Sequence, residues 1–248
     1  MLEGLNSAAA GMAAQQQRMD AASNDLANAN TTGYKSVRVG FQDLLYTQAD
    51  RSSAQGVRVG AGAKTVDAGR TWAQGTFQAT DQPLDVAING EGFLHVRLGN
   101  GQDALTRDGD LSIDSLGRLT TTGGALVLGG NKPISIPKGT AESDISIAAD
   151  GTVLAAGRRV GRIDLMTVRS PNALTPVGDS AFTTSSGSGP AVTAPRSTSL
   201  QQGVLEASNV DMADAMVSLI ESQRSYQLAS KAITTADEMM GIANQVKK

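Results

Sequence analysis

The sequence predicts an α+β protein in which long N- and C-terminal helices pair as a coiled-coil domain beside a central antiparallel β domain. Three observations predict it: a helical repeat at each end of the chain, short alternating strands between them, and turn dipeptides that punctuate those strands. Chain ends are normally the loosest parts of a domain. Ends that carry the longest helical patterns point to a partner, either each other or further copies.

In the first element, Leu2, Leu5, Ala9, Met12, Gln16, Met19, Ser23 and Leu26 follow one another at alternating steps of three and four. This is a heptad seam, the spacing that keeps one stripe of a helix turned toward a partner helix. Gln16 and Ser23 weaken the seam, and an isolated helix of this kind is marginal in water. The helix is expected to stop near Asn28–Gly33, where Asn-Ala-Asn-Thr-Thr-Gly supplies turn formers and Gly33 a left-handed cap.

Residues 31–74 read as an extended connector, rich in Gly, Ala, Ser, Thr and Gln, with Phe41, Leu44, Leu45 and Tyr46 as one apolar knot. Residues 48–62 show little periodicity of either kind. From 75 to 208 the pattern turns to β. Leu84–Ile88 alternates and runs into Asn89-Gly90, and Phe93–Leu98 runs into Asn100-Gly101. Asp108-Gly109 and Asp150-Gly151 repeat the punctuation, each read as a hairpin turn. Ile145 with Ile147 and Ile163 with Leu165 are further strands, so the region reads as an antiparallel sandwich or barrel. Thr183–Gly189 reads as a mobile, polar surface loop.

The last element opens with Ser208 followed by Asp211, a spacing like that of a capping box. Met212, Met216, Leu219, Gln223, Tyr226, Ser230, Ile233, Asp237 and Met240 then step by fours and threes, and Val217 and Ile220 widen the stripe. Such a helix is about 50 Å long, more than a globule of this size needs to cover its core. Two readings stand: an antiparallel helical hairpin packed on the β domain, or intermolecular coiled-coil packing in a polymer. The domain organisation is then 1–30 with 209–248 helical, 31–74 a connector, and 75–208 a β-rich outer domain.

Composition excludes several functions. Aromatic residues make up only 3% of the chain, so the core is built from aliphatic side chains. The net charge of −3 gives no electrostatic case for nucleic acid. No run of apolar residues suits membrane insertion, and no charged segment followed by an apolar core suggests a secretory signal peptide. Cysteine is absent, which excludes disulfides and thiol chemistry. His95 is the single histidine and sits in an alternating strand, a structural position. Asp108-Gly109-Asp110 lacks the remaining positions of a calcium loop. Gly60-Ala61-Gly62-Ala63-Lys64-Thr65 has Ala63 where a phosphate loop needs glycine. No catalytic, cofactor-binding or metal-binding residue is assigned, and no enzyme is expected.

Several longer motifs carry a resemblance. Ser23-Asn24-Asp25-Leu26-Ala27-Asn28-Ala29-Asn30-Thr31-Thr32-Gly33-Tyr34-Lys35 resembles the N-terminal signature of the bacterial flagellar rod and hook family, with Asp25 in place of its usual Asn. Pro83-Leu84-Asp85-Val86-Ala87-Ile88-Asn89-Gly90-Glu91-Gly92-Phe93 resembles the family's central motif. Thr106-Arg107-Asp108-Gly109 resembles the next, although Leu105 replaces an aromatic. Gln202-Gly203-Val204-Leu205-Glu206-Ala207-Ser208-Asn209-Val210 and Gln223-Arg224-Ser225-Tyr226 resemble its C-terminal motifs. Gly56–Gly62 and Gly75-Thr76-Phe77 look most like the distal rod type, while the short connector at 48–55 leaves the proximal rod type as an alternative. Little length remains for the extra outer domain of hook proteins. A non-flagellar, adhesin-like β protein with a helical stalk is a more distant alternative.

The resemblance implies a structural subunit of the basal-body rod, exported through the flagellar type III apparatus without a cleaved signal, into the extracytoplasmic part of the basal body. It implies a helical homo-polymer whose neighbours are other rod and hook proteins and the surrounding ring proteins. Leu2, Leu5, Met12, Met19, Leu26, Met216, Leu219, Ile220, Tyr226, Ile233 and Met240 are then the expected subunit-packing residues. No cofactor is implied.

The weak seams predict that both ends are largely disordered in the free monomer. Circular dichroism at micromolar concentration checks this, and helix content matching both ends in full would refute it. Gly33→Val is expected to impair assembly while leaving the β fold intact, to be checked by motility.

Overall fold

The computed structural model describes residues 2–44, 46–48, 58–60 and 62–246. Leu45, residues 49–57 and Ala61 of the expected connector lie outside the described residues, as does the side chain of Leu2. The elements are α+β. Two long helices, α1 (Leu2–Ala27) and α2 (Met212–Val246), stand at the ends of the chain, and every strand pairing among the described residues between them is antiparallel. The chain divides into two units. One comprises residues 1–27, 37–70 and 211–248, and the other 28–36 and 71–210.

In the first unit, neither helix contains proline, and alanine and straight-chain residues dominate both. The helices pack side by side. Arg18 reaches Glu221 at 3.7 Å, while Ala22 and Asp25 share a recess with Ala215 and Ser218, so the two run antiparallel. The start of α2 differs from the sequence reading. Asp211 is the cap, its Oδ1 accepting from the backbone N–H groups of Ala213 at 2.8 Å and Asp214 at 3.2 Å. Ser208 lies too far upstream and accepts from Val210 instead.

The stretch read as a connector contains a ribbon in this unit: β1 (Val37–Asp43) pairs with β2 (Ala63–Arg70). Val37, Val39 and Phe41 alternate with Arg38, Gly40 and Gln42, a strand signal the compositional reading passed over. The ribbon packs on α1. Arg18 lies over the Phe41 ring, 6.0 Å from its centroid, and Asp25 Oδ1 accepts from Val37 N–H at 3.1 Å.

In the second unit, the main sheet runs in the order Thr175–Gly178, Ala181–Thr183, Asp103–Thr106, Phe93–Arg97, Leu126–Gly129, Leu119–Thr121 and Leu111–Ile113. A smaller sheet holds Ile145–Ile147, Thr152–Ala155 and Arg158–Arg162. Between them lies an aliphatic core that includes Val86, Leu94, Val96, Leu119, Val127, Val153 and Ile163. A second cluster gathers Phe93, Leu105 and Phe182 around Trp72, whose indole meets both phenyl rings edge-on at 5.1 and 5.2 Å.

Two of the four turn dipeptides close hairpins: Asn100-Gly101 joins Phe93–Arg97 to Asp103–Thr106, and Asp150-Gly151 joins Ile145–Ile147 to Thr152–Ala155. The other two do not. Val86–Asn89 pairs with Ser199–Gln202, and Leu111–Ile113 pairs with Leu119–Thr121, so Asn89-Gly90 and Asp108-Gly109 are crossings between non-adjacent strands. Thr183–Gly189 is tied by its own serines: Ser185 Oγ donates to Ala173 O at 2.5 Å, and Ser188, fully buried, accepts from Ser185 N–H at 2.9 Å.

Candidate functional site

Two arrangements stand out, one in each unit. The first lies on the helices. The face of α2 turned inward is made of small residues: Ala215, Ser218, Ser222, Ala229 and Ala236 are buried or half-buried, with Leu219, Tyr226, Ile233 and Met240 half-buried beside them. Ser222 is fully buried and donates to Ser218 O at 2.7 Å. Met212, Met216, Val217, Ile220, Leu228, Met239 and Ile242 are all exposed. At 3.6 residues per turn Met216, Val217, Ile220 and Ile242 fall on the opposite side of the helix, with Met212 at one edge of that side and Leu228 and Met239 toward the other. Gln223 and Arg224 are exposed as well.

On α1 the buried positions are Ala14, Ala22 and Asp25. Leu5, Met12, Met19 and Leu26 are half-buried and run two positions out of step with Ser7, Ala14 and Ala21, more than half a turn around the helix. Each helix therefore carries a small-residue stripe and a separate large-residue stripe. On α1 the heptad period read from the sequence belongs to the second, whereas on α2 its members Leu219, Tyr226, Ile233 and Met240 flank the inward face.

The second arrangement is a buried ion cluster in the β unit. Glu206 and Lys35 have no exposed side-chain surface, and Arg107 is 5% exposed. Lys35 Nζ donates to Glu206 Oε1 at 2.5 Å and to Ala73 O at 2.8 Å. Arg107 Nη1 donates to both Glu206 oxygens at 3.1 and 3.0 Å. Its remaining donors reach Gly92 O at 3.0 Å and Gly90 O at 2.6 Å, and its guanidinium lies 5.7 Å from the Phe93 ring centroid. The crossing at Asn89-Gly90-Glu91-Gly92 thus serves as an acceptor loop for Arg107. Gly75 N–H also donates to Glu206 Oε1, at 2.9 Å.

Around this cluster the remaining motif residues fasten the chain. Asn209 Nδ2 donates to Thr71 O at 2.6 Å, and its Oδ1 accepts from Ser36 N–H at 2.8 Å. Ser208 is buried, and Val210 half-buried. Leu84 enters the core, and the carbonyl of buried Asp85 accepts from Gly203 N–H at 2.8 Å. Thr31 N–H donates to Asn28 O at 3.1 Å, in the turn after α1, while Asn24, Ala27 and Asn30 are exposed. Thr32 Oγ1 donates to Asp108 Oδ1 at 2.7 Å. Burial pushes the Asp108 carboxyl above its ordinary range, and the hydrogen bonds from Thr32 and Asp110 oppose the shift.

Gly33 is left-handed, with φ of 65°, but it sits beyond the turn that ends α1 and does not cap it. A Cβ there would lie 2.6 Å from the Arg107 carbonyl carbon and the Asp108 nitrogen. The expectation that Gly33→Val spares the β fold is therefore corrected, because the added carbon would strike the backbone beside the ion cluster.

Lys35, Arg107 and Glu206 were not singled out from the sequence. Only Glu206, set between Leu205 and Ala207, carried a signal, a lone charge among apolar neighbours. His95 is buried between Asp103 and Asp164, at 3.7 and 3.9 Å, within paired strands. Among the described residues no group of three or more acidic, histidine or cysteine side chains could hold a metal ion, and no helix is long and apolar enough to cross a membrane.

Comparison with known proteins completes the picture. Three family models match in chain order: flagella basal body rod protein over residues 5–35, flagellar hook protein FlgE/F/G D1 domain over 87–155, and flagellar basal body rod FlgEFG protein C-terminal over 201–246. Each matched segment contains one member of the ion cluster. The chain is also 38% identical over 267 residues to the flagellar basal-body rod protein FlgG of Borreliella burgdorferi, covering all of both chains. The chain belongs to the FlgG family of flagellar basal-body rod proteins. FlgG of Caulobacter vibrioides is 38% identical over 99% of this chain and all of its own length, and FlgG of Bacillus subtilis is 35% identical over 97% of each. This supports the distal rod type, and nothing supports the proximal-rod, hook-like or adhesin-like alternatives. The FlgG family is one of structural rod subunits of the flagellum.

Removing the carboxylate from the cluster leaves two buried cations without an anion. Glu206→Gln is expected to destabilise the β unit by about 3–5 kcal/mol in a denaturant titration. Gly33→Val is expected to lower the same transition. Burial holds the Lys35 ammonium below the ordinary lysine value of 10.5, opposed by Glu206 and reinforced by Arg107. The unfolded chain then binds more protons than the folded one as pH nears 10.5, so Lys35 adds stability as pH climbs through that window and loses it as pH falls. Lys35→Met should flatten this slope relative to the parent chain.

Proposed function

We propose that the chain polymerises helically into the axial drive shaft between motor and hook, and that its terminal helices are the polymerising element. In this reading residues 1–30 and 209–248 form coiled-coil packing with neighbouring copies. Residues 31–74 act as the connector and 75–208 as the β-rich outer domain. The observation that carries it is the outer face of α2. Large apolar side chains exposed along one stripe of a helix whose other stripe is already occupied mark an interaction surface. Met216 and Ile220 lie on that stripe. Leu5, Met12, Met19 and Leu26 of α1 supply the complementary large-residue stripe, and Leu219, Tyr226, Ile233 and Met240 flank the seam.

Identical subunits joined by a head-to-tail contact that does not close give a filament. The neighbours at its ends are other rod and hook proteins, and the ring proteins of the basal body surround it. The subunit works outside the cytoplasm after passage through the flagellar export apparatus, and its role is mechanical rather than catalytic.

A charge placed on the outer stripe tests this. Ile220→Asp is expected to leave the β unit's thermal transition unchanged, abolish polymer formation by the purified chain, and fail to restore motility to a strain lacking the parent gene. Normal motility and polymer formation in that variant would overturn the reading.

A further inference from the structure

The sulfur chemistry of the chain is confined to methionine, with eight methionines and no cysteine. A thioether is therefore the only side-chain sulfur an oxidant can reach. Three of the eight are exposed on α2: Met212 is 51% exposed, Met216 50% and Met239 53%, with Met212 and Met216 on one flank of its outer face and Met239 half a turn round from Met212. Met12, Met19, Met166 and Met240 are half-buried, and Met1 lies outside the described residues. Susceptibility of methionine to oxidation follows its exposure, so the three outward residues stand apart from the four others that are described.

We infer that Met212 and Met216 form an oxidation site at which a hydroperoxide turns their flank of the outer face of α2 polar and blocks its association with a second copy of the chain. The inference rests on the assembly reading of that face. In the chemical step a sulfur lone pair attacks one peroxide oxygen. The O–O bond breaks as the S–O bond forms, and the departing hydroxide takes up the proton left behind as water. The thioether loses two electrons and the peroxide gains them. Sulfoxide is a polar group where the interface needs an apolar one, and burying it without a hydrogen-bond partner is unfavourable. Met212 and Met216 are one helical turn apart and adjoin Val217 and Ile220, so both sulfoxides would fall inside one apolar patch. The modification is reversible by sulfoxide reductases, which makes it a switch on the free subunit.

The full chain is treated with hydrogen peroxide, mapped by peptide mass spectrometry over time, and assayed for polymer by sedimentation. Met212, Met216 and Met239 should gain oxygen about fivefold or more faster than the half-buried methionines, and the concentration needed for polymer should rise about tenfold or more. Replacing Met212 and Met216 by leucine, which conserves apolar volume, should preserve polymerisation and remove its peroxide sensitivity. Equal oxidation of the half-buried methionines, or continued sensitivity of the leucine variant, would overturn the inference. Ile220→Asp separates the two ideas. If it abolishes polymer while complete oxidation does not, the oxidation switch fails alone. If it polymerises like the parent chain, the assembly reading fails and takes the switch with it.

Discussion

The buried carboxylate of Glu206 is the constraint on which the β unit depends. It accepts from Lys35, Arg107 and the Gly75 backbone at once, although Lys35 lies 171 positions away in sequence and Arg107 lies 99 away. Taking three ions out of water costs several kcal/mol for each, and the mutual attraction repays this only when every partner is in place. Such a cluster contributes little net stability compared with an apolar core, but it tolerates no partial version of itself. It brings the segment after α1, the glycine-rich crossing and the strand before α2 to one point, and it admits one arrangement of them.

The helices follow a different logic. Small residues on the facing stripes let α1 and α2 pack side by side, and much of the large apolar surface of α2 is left exposed. A helix of a monomeric protein normally does the reverse, burying its largest side chains and exposing its charges. Under the proposed assembly, neighbouring copies complete that burial.

Much of what is local in the chain was legible in the sequence, although the alternation of Val37, Val39 and Phe41 was passed over in a segment read by composition. Asn100-Gly101 and Asp150-Gly151 close hairpins between strands adjacent in sequence, where the turn dipeptide and the pairing carry the same information. Asn89-Gly90 has the same chemistry, but its flanking strands pair elsewhere, and no local pattern records a partner more than a hundred residues away. The heptad period picked out large residues on both helices but not the small ones of the inward stripe, because alanine and serine leave no hydrophobic signal. The cap of α2 was missed by three residues since Ser208 and Asp211 both suit the role, and only the backbone decides between them. The family motifs were readable as text, but the salt bridges that bind them to each other were not, since charge pairing at such separations has no signature in a single sequence.

Glu206 and Asn209 also hold the entering and leaving segments of the β unit against each other: Gly33 N–H donates to Glu206 O at 2.9 Å, and Ser36 N–H to Asn209 Oδ1 at 2.8 Å. Phe77–Ala79 pairs antiparallel with Val204–Glu206, so residues 80–203 are, in topology, a cassette inserted through a two-stranded stem. Lengthening or exchanging a segment whose ends already meet adds little closure entropy, and such sites accept insertion of whole domains. The stem lets evolution or an engineer resize the loops beyond it while Arg107, its Gly90 and Gly92 acceptors and the sequence of the two helices stay untouched.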